Sequence, residues 1–301
     1  MTIKTIGTLA AEDYTTVQLW EDAAPLDLVA ITDTWEGEVS NQELVSTDIC
    51  TVSGITTSAT YNVQLRPAVG AGFKDHVNAA TNPLRYDGTK GAALYGNGWY
   101  GGTLDIASAI DMDVTGLQLK TNGPNGYPTI RMNLYTVPKN IKQCIIVSDD
   151  IPVLSFWSSG FPSIIENCLL IGRQNGSGVI NANGSQYNLC TFIALNAAEN
   201  YLQTSYDPTG ITGCLFLGGA TFQDGTVVHI VDQSGIDQAN WGSATVTSST
   251  IGLTPLSEIV AATTSDLTID ARLKSGATSI DKVTSTAGLP TVDGIGQTRT
   301  G

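Results

Sequence analysis

The chain has 301 residues, 42% of them hydrophobic, and 28 acidic against 14 basic side chains, a formal net charge of −14. That length and apolar content can bury a sizeable core, while so acidic a surface repels a phosphate backbone and argues against a nucleic-acid partner. No stretch reaches the roughly 18 apolar residues that cross a bilayer, so no membrane insertion is expected.

Gly (32), Thr, Ser, Asn, Val and Ile are plentiful and helix formers scarce, which favours short strands joined by turns. The opening MTIKTIGTLAAEDY lacks a charged start followed by an apolar run, so synthesis in a cytoplasm without Sec export is expected. The first predicted element is a helix. EDYTTVQLWEDAAP sets Tyr14, Val17, Trp20 and Ala24 at helical spacing, with Asp13 as N-cap and Pro25 as stop, and reads as a cap on an open end. GAGF at 70–73 and GNGWYGG at 96–102 read as turns.

From about residue 114 a repeat sets in. Cys144, Cys168, Cys190 and Cys214 recur in one apolar frame at steps of 24, 22 and 24, each with an Ile or Tyr three residues before and an apolar residue two after. VTGLQLKT at 114–121 puts Leu117 at the same position. All are read as short strands. A second series, PTIRMNLYT, VLSFWSSG, GVINANGS, NYLQTSYD, TVVHIVDQS and EIVAATTSD, shares the period: Ile130, Val153, Val179, Leu202 and Val228 stand 23, 26, 23 and 26 residues apart. Gly- and Asn-rich turns separate the two series.

A period of about 22–26 residues holding two or three short strands matches one coil of a parallel β-helix, in which equivalent side chains stack about 4.8 Å apart. A propeller blade needs about 40 residues, and a leucine-rich repeat needs a leucine spacing that is absent here. The expected fold is all-β, a right-handed single-stranded parallel β-helix with a short N-terminal capping helix and an extended C-terminal tail. It forms one continuous domain: cap and first coils over 1–102, regular coils over 103–243, last coils and tail over 244–301. The interior ladder is Leu117, Cys144, Cys168, Cys190 and Cys214, because a narrow column accepts small side chains at one point per coil.

Three strings, DYTTVQLWEDAAP, NPLRYDGTKGAALY and TVDGIGQTR, together resemble right-handed parallel β-helix (pectin-lyase-like) virion surface proteins of tailed bacteriophages and their prophages. The resemblance covers essentially the whole chain. It implies a homotrimer on the virion surface, in contact with other virion proteins and made in the host cytoplasm. The same fold also carries polysaccharide lyases, glycosidases and tailspike depolymerases, so the resemblance bears more on fold than on role.

Candidate chemistry is sparse. Five cysteines, none in a C-x-x-C pair or near a histidine, do not form a thiolate metal site. Arg131, Arg173 and Arg272 have no flanking acidic cluster, and Asp105, Asp111 and Asp113 lack the run of oxygen ligands of a dedicated calcium loop. Asp149 and Asp150 are weak catalytic candidates, since adjacent carboxylates in a turn are usually only solvated. His76 and His229 read as structural or outward-facing rather than catalytic. Trp99, Tyr100, Trp157, Tyr201 and Tyr206, with Phe156 and Phe161 nearby, are candidates for carbohydrate or subunit contact, subunit contact being preferred. No metal and no cofactor are expected. The resulting expectation is a non-enzymatic virion structural protein, a decoration, fibre or spike component, with the head preferred to the tail. The alternative is a tailspike-like depolymerase or binding module acting on host surface polysaccharide.

Overall fold

The computed structural model describes residues 1–75, 84–98 and most of 102–149, and beyond them the strands and adjoining corners out to residue 273. The described strands form three long parallel sheets, each adding one strand per coil. Sheet I has ten strands from Thr2–Ile6 to Thr245–Thr247, sheet II nine from Glu43–Ser46 to Thr250–Ile251, and sheet III seven from Cys50–Val52 to Phe222–Asp224. The chain visits I, II and III in turn, and every pairing inside these sheets is parallel, so the molecule is a right-handed parallel β-helix.

Register stacks like on like in the interior. In sheet I, Val114 pairs with Ile141, Ile165, Tyr187 and Ile211 in succession. In sheet II, Leu119 is followed by Ile146, Leu170, Phe192 and Phe216. Phe192 and Phe216 stack with ring centroids 4.5 Å apart, and the Tyr187 ring meets Phe192 edge-on. All these side chains are buried.

Each cysteine-bearing run is two strands rather than one. Residues with positive φ, Gly116, Gln143, Asn167 and Leu189, turn the backbone between sheets I and II, and Leu117, Cys144, Cys168 and Cys190 follow them inside the corner. Across coils the corners are hydrogen-bonded: Leu169 N–H donates to Cys144 O, Thr191 N–H to Cys168 O and Leu215 N–H to Cys190 O, each at 2.9 Å. Each thiol also lies 3.4–3.7 Å from a carbonyl on the preceding coil, that of Val114, Ile141, Ile165 or Tyr187. A corner this crowded admits a thiol and its weak S–H donor.

Three further expectations change. The helix is Val17–Asp22, capped by Thr16, whose side chain accepts from Leu19 N–H, while Asp13 instead accepts from Thr5 N–H. Ile230–Asp232, read with the second series, pairs with Ile211 and Thr212 in sheet I, because that coil is shorter. Ile259–Ala261 is not a coil strand at all: it pairs antiparallel with Asp270–Leu273.

That hairpin belongs to a second layer. Ile145, Val147, Leu169, Ile171, Ile193, Leu215 and Leu217 point outward from sheet II, yet they are buried in a cluster with Phe73, Tyr86 and Ala271. Gln118 pins the covering loop, accepting from Asp87 N–H and donating to Asp87 O and Lys90 O. From Gln118–Thr121 to Leu215–Leu217 sheet II is thus covered on both faces, as continuous apolar runs such as CIIV and CLFL require. The ending after residue 273 lies outside the described residues.

Candidate functional site

With sheet II covered, described polar side chains collect on the outer faces of sheets I and III. On sheet I the outward row runs Gln64, Asp113, Asn140, with Arg66 one pleat along on the Gln64 strand and Thr115 and Lys142 one pleat along on the next two. Asp113 is its focus. Its carboxylate accepts from Asn140 Nδ2 at 2.6 Å and from Asn62 Nδ2 at 3.0 Å, and Gln64 Nε2 donates to Asn62 Oδ1. One carboxylate therefore ties together side chains from three successive coils. Arg66 adds a fork over Glu36 at 2.6 Å and Glu38 at 2.8 Å.

Two residues before Asp113, Asp111 is buried at the mouth of the strand, its N–H donating to Thr57 Oγ1 at 2.7 Å. Burial raises its pKa, the neighbouring Asp113 charge adds to the rise, and Asn62 and Lys139 pull the other way. Lys139, in register with Met112, is fully enclosed, and its Nζ donates to Val137 O. Burial pushes its pKa down to about 8 against the attraction of Asp111. A buried carboxyl group of raised pKa, next to a carboxylate held by two amides and a lysine of lowered basicity, is the kind of cluster that serves proton transfer.

On sheet III, Asp105 and Arg131 stand opposite each other on adjacent coils and form an ion pair. Asp105 Oδ1 is buried with no hydrogen-bond partner among the described residues. Register continues the row through Thr51 on one side and Ser155 and Asn181 on the other. Arg131 thus has an acidic neighbour, contrary to the reading of its flanking sequence: Asp105 lies one coil of 26 residues earlier. Spacing by the coil period was the signal that could have found it. The partnership of Asp113 with Asn62 and Asn140 and the burial of Lys139 had no such signal.

The remaining candidates disperse. Asp149 pairs with Lys120 at 3.3 Å. Asp150, Trp99, Tyr100, Trp157, Tyr201, Tyr206, His76 and His229 lie outside the described residues. Leu117, Cys144, Cys168, Cys190 and Cys214 are all buried, and all five cysteines, Cys50 included, are free. Burial holds the thiols of Cys144 and Cys190 well above their ordinary pKa. Among the described residues, no group of three or more His, Cys, Asp or Glu is placed to hold a metal ion.

No family model matches the chain, and no curated protein matches it. Among solved structures it is similar to a pectin methylesterase mutant in complex with a hexasaccharide, at 13% identity and a TM-score of 0.51, over 84% of this chain and 91% of that one. A pectin methylesterase from carrot aligns at 9% identity and a TM-score of 0.45, over 81% and 88%. The first likeness establishes the shared β-helical fold. It also corrects the expectation of a chain without catalysis: that expectation rested on missing motifs, and the architecture is shared with an enzyme.

Proposed function

We propose that this chain is a polysaccharide-acting β-helical protein of a virus particle surface, with the outer face of sheet I as its glycan-contact surface. The observation that carries the reading is Asp113, hydrogen-bonded by amides from the coils on either side while the buried Asp111 beside it has a raised pKa. In this reading Asp111 is the proton donor and Asp113 the carboxylate that acts as base or nucleophile, a division of labour set by environment. Gln64 and Asn140 flank Asp113 on the neighbouring coils and Arg66 stands two residues along from Gln64, a polar row that suits the hydroxyl groups of an extended sugar chain. With a net charge of −14 the protein repels polyanions, so a neutral glycan fits better than an acidic one.

The likeness to a pectin methylesterase supports polysaccharide as the substrate class through fold alone. The virion-surface placement, as a homotrimer touching other virion proteins, rests on the resemblance of the three sequence strings. Incubation with purified bacterial surface polysaccharides, following reducing ends and released ester groups, tests the activity. Wild-type protein is expected to yield product, and Asp113→Asn to lower the rate by about 10² or more. Folded wild-type protein that neither binds nor alters any glycan in a broad panel would overturn the reading. Imaging labelled protein on intact particles tests the placement independently.

A further inference from the structure

The three sheets end differently at the N-terminal side of the stack. Sheet I ends in Thr2–Ile6, whose outer edge is covered: Thr5 N–H donates to Asp13 Oδ2, Thr5 O accepts from Tyr14 N–H, and Gly7 N–H donates to Tyr14 O. Sheet III ends in Cys50–Val52, where side chains of the helix Val17–Asp22 do the covering. Gln18 Oε1 accepts from Thr51 N–H and Glu21 Oε1 from Ser53 N–H, both at 2.9 Å. Sheet II ends in Glu43–Ser46, and nothing among the described residues pairs with its outer edge.

The orientation of that edge follows from its one partner. Ala93 N–H donates to Gln42 O and Asn97 N–H to Ser46 O, so the main-chain groups of Gln42, Leu44 and Ser46 face the next strand. In a parallel ladder the alternate residues, Glu43 and Val45, then direct their N–H and C=O groups away from the stack. The strand is open as well as unpaired: Glu43 and Ser46 are exposed, and the Val45 side chain is 56% exposed.

Two further observations say what fits there. All the large exposed apolar side chains among the described residues lie before residue 70, including Leu9, Leu19, Leu26, Val29 and Ile31. The same region is intensely acidic, with ten Asp or Glu against one Lys over residues 1–60. A second copy would bring like charge against like, and Glu43 on the edge itself opposes such pairing. A basic strand meets neither obstacle.

We propose that Glu43–Ser46 is a docking edge for an extended, basic polypeptide segment of a different protein, which adds as one more strand to sheet II. Main-chain hydrogen bonds to Glu43 and Val45 hold the segment, apolar side chains of the segment cover Val45, and lysines or arginines meet Glu43 and Asp48. The strand is short, ended by Ser46, whose Oγ accepts from Asp48 N–H and donates to Asp48 O. Only a few residues of the partner therefore pair. This inference does not depend on the glycan reading.

A fluorescent octapeptide of alternating lysine and valine serves as probe, titrated by anisotropy, with a copy N-methylated at alternate amides as control. Wild-type protein is expected to bind the probe at least about tenfold more tightly than the control, the equivalent of one or two main-chain hydrogen bonds. The amides of Glu43 and Val45 should gain hydrogen-exchange protection with the probe. Val45→Pro removes a donor that faces outward, a tolerated place for proline, and Val45→Lys keeps the donor but repels the probe. Both should weaken binding about tenfold while melting like wild type. Equal affinity for probe and control, no binding, unchanged exchange at Glu43 and Val45, or a wild-type dimer in sedimentation that Val45→Pro dissociates would each overturn the proposal.

Discussion

The indole of Trp20 occupies the space that Gly37 leaves in the first full coil. A Cβ on Gly37 would lie 2.7 Å from Trp20 Cε2 and 2.8 Å from Ile6 Cδ1. Trp20 is fully buried, stacks on Trp35 with centroids 6.4 Å apart, and accepts the Trp35 indole N–H at its backbone carbonyl. The short helix therefore closes the solenoid with one large side chain driven into the interior, a fit made possible by the absence of a side chain opposite. Gly37→Ala should destabilise the protein by about 1–3 kcal/mol, the usual cost of overpacking. Urea unfolding gives the number. In a Trp20→Leu background the same substitution should cost less, because the clashing atoms are gone.

Leu189 sits at φ +54°, in the left-handed region that leucine adopts reluctantly, and it does so because the corner before Cys190 demands it. Its counterpart one coil earlier is Asn167, a residue better suited to that region. Leu189→Asn should stabilise the fold by up to about 1 kcal/mol, seen as a higher melting temperature in calorimetry. Asn167→Leu should move it the other way.

The thiol column is sealed, and its reactivity should show that. With all five cysteines free and buried, a thiol reagent should label none of them quickly in the native protein and all five after denaturation. Cys168→Val should destabilise more than Cys168→Ala, since the corner lacks room for a branched side chain and each coil repeats the same constraint.

Lys139 makes stability depend on alkaline pH. Its folded pKa, about 8, lies below the ordinary lysine value of 10.5, so between these values the unfolded chain binds more protons and stability rises with pH. Asp111 acts at the other end. Its raised pKa means that the folded protein binds more protons in the acid range, so that contribution falls as pH rises through the carboxylate region. Lys139→Met should flatten the alkaline rise, measured as melting temperature between pH 7 and 11, whereas Lys142→Met, on the outer face, should leave the rise in place.

The β-helix was legible because its corners tolerate so little. A small side chain at one point per coil imposes a period on the sequence even where the loops vary, and Cys144 to Cys214 display it. The break of each run into two strands was not legible, because the residue that turns the corner is Gly116, Gln143, Asn167 or Leu189, with no common type. The covered face of sheet II was written in the apolar triplets Ile145–Val147, Leu169–Ile171 and Leu215–Leu217, but a buried strand and a half-buried strand beside a loop read alike without knowledge of what lies above. The cluster around Asp113 was harder still. Asn62 and Asn140 stand on different coils, and an asparagine that bonds a carboxylate has the same letter as one that makes a turn.

A structure of the protein with a bound neutral oligosaccharide would decide whether the outer face of sheet I contacts glycan. Sugar is expected along the outer face of sheet I, with a ring contacting Asp113 and side chains of Asn140 or Arg66 within hydrogen-bond distance. Sugar bound only on another face, leaving Asp111 and Asp113 untouched, would contradict it.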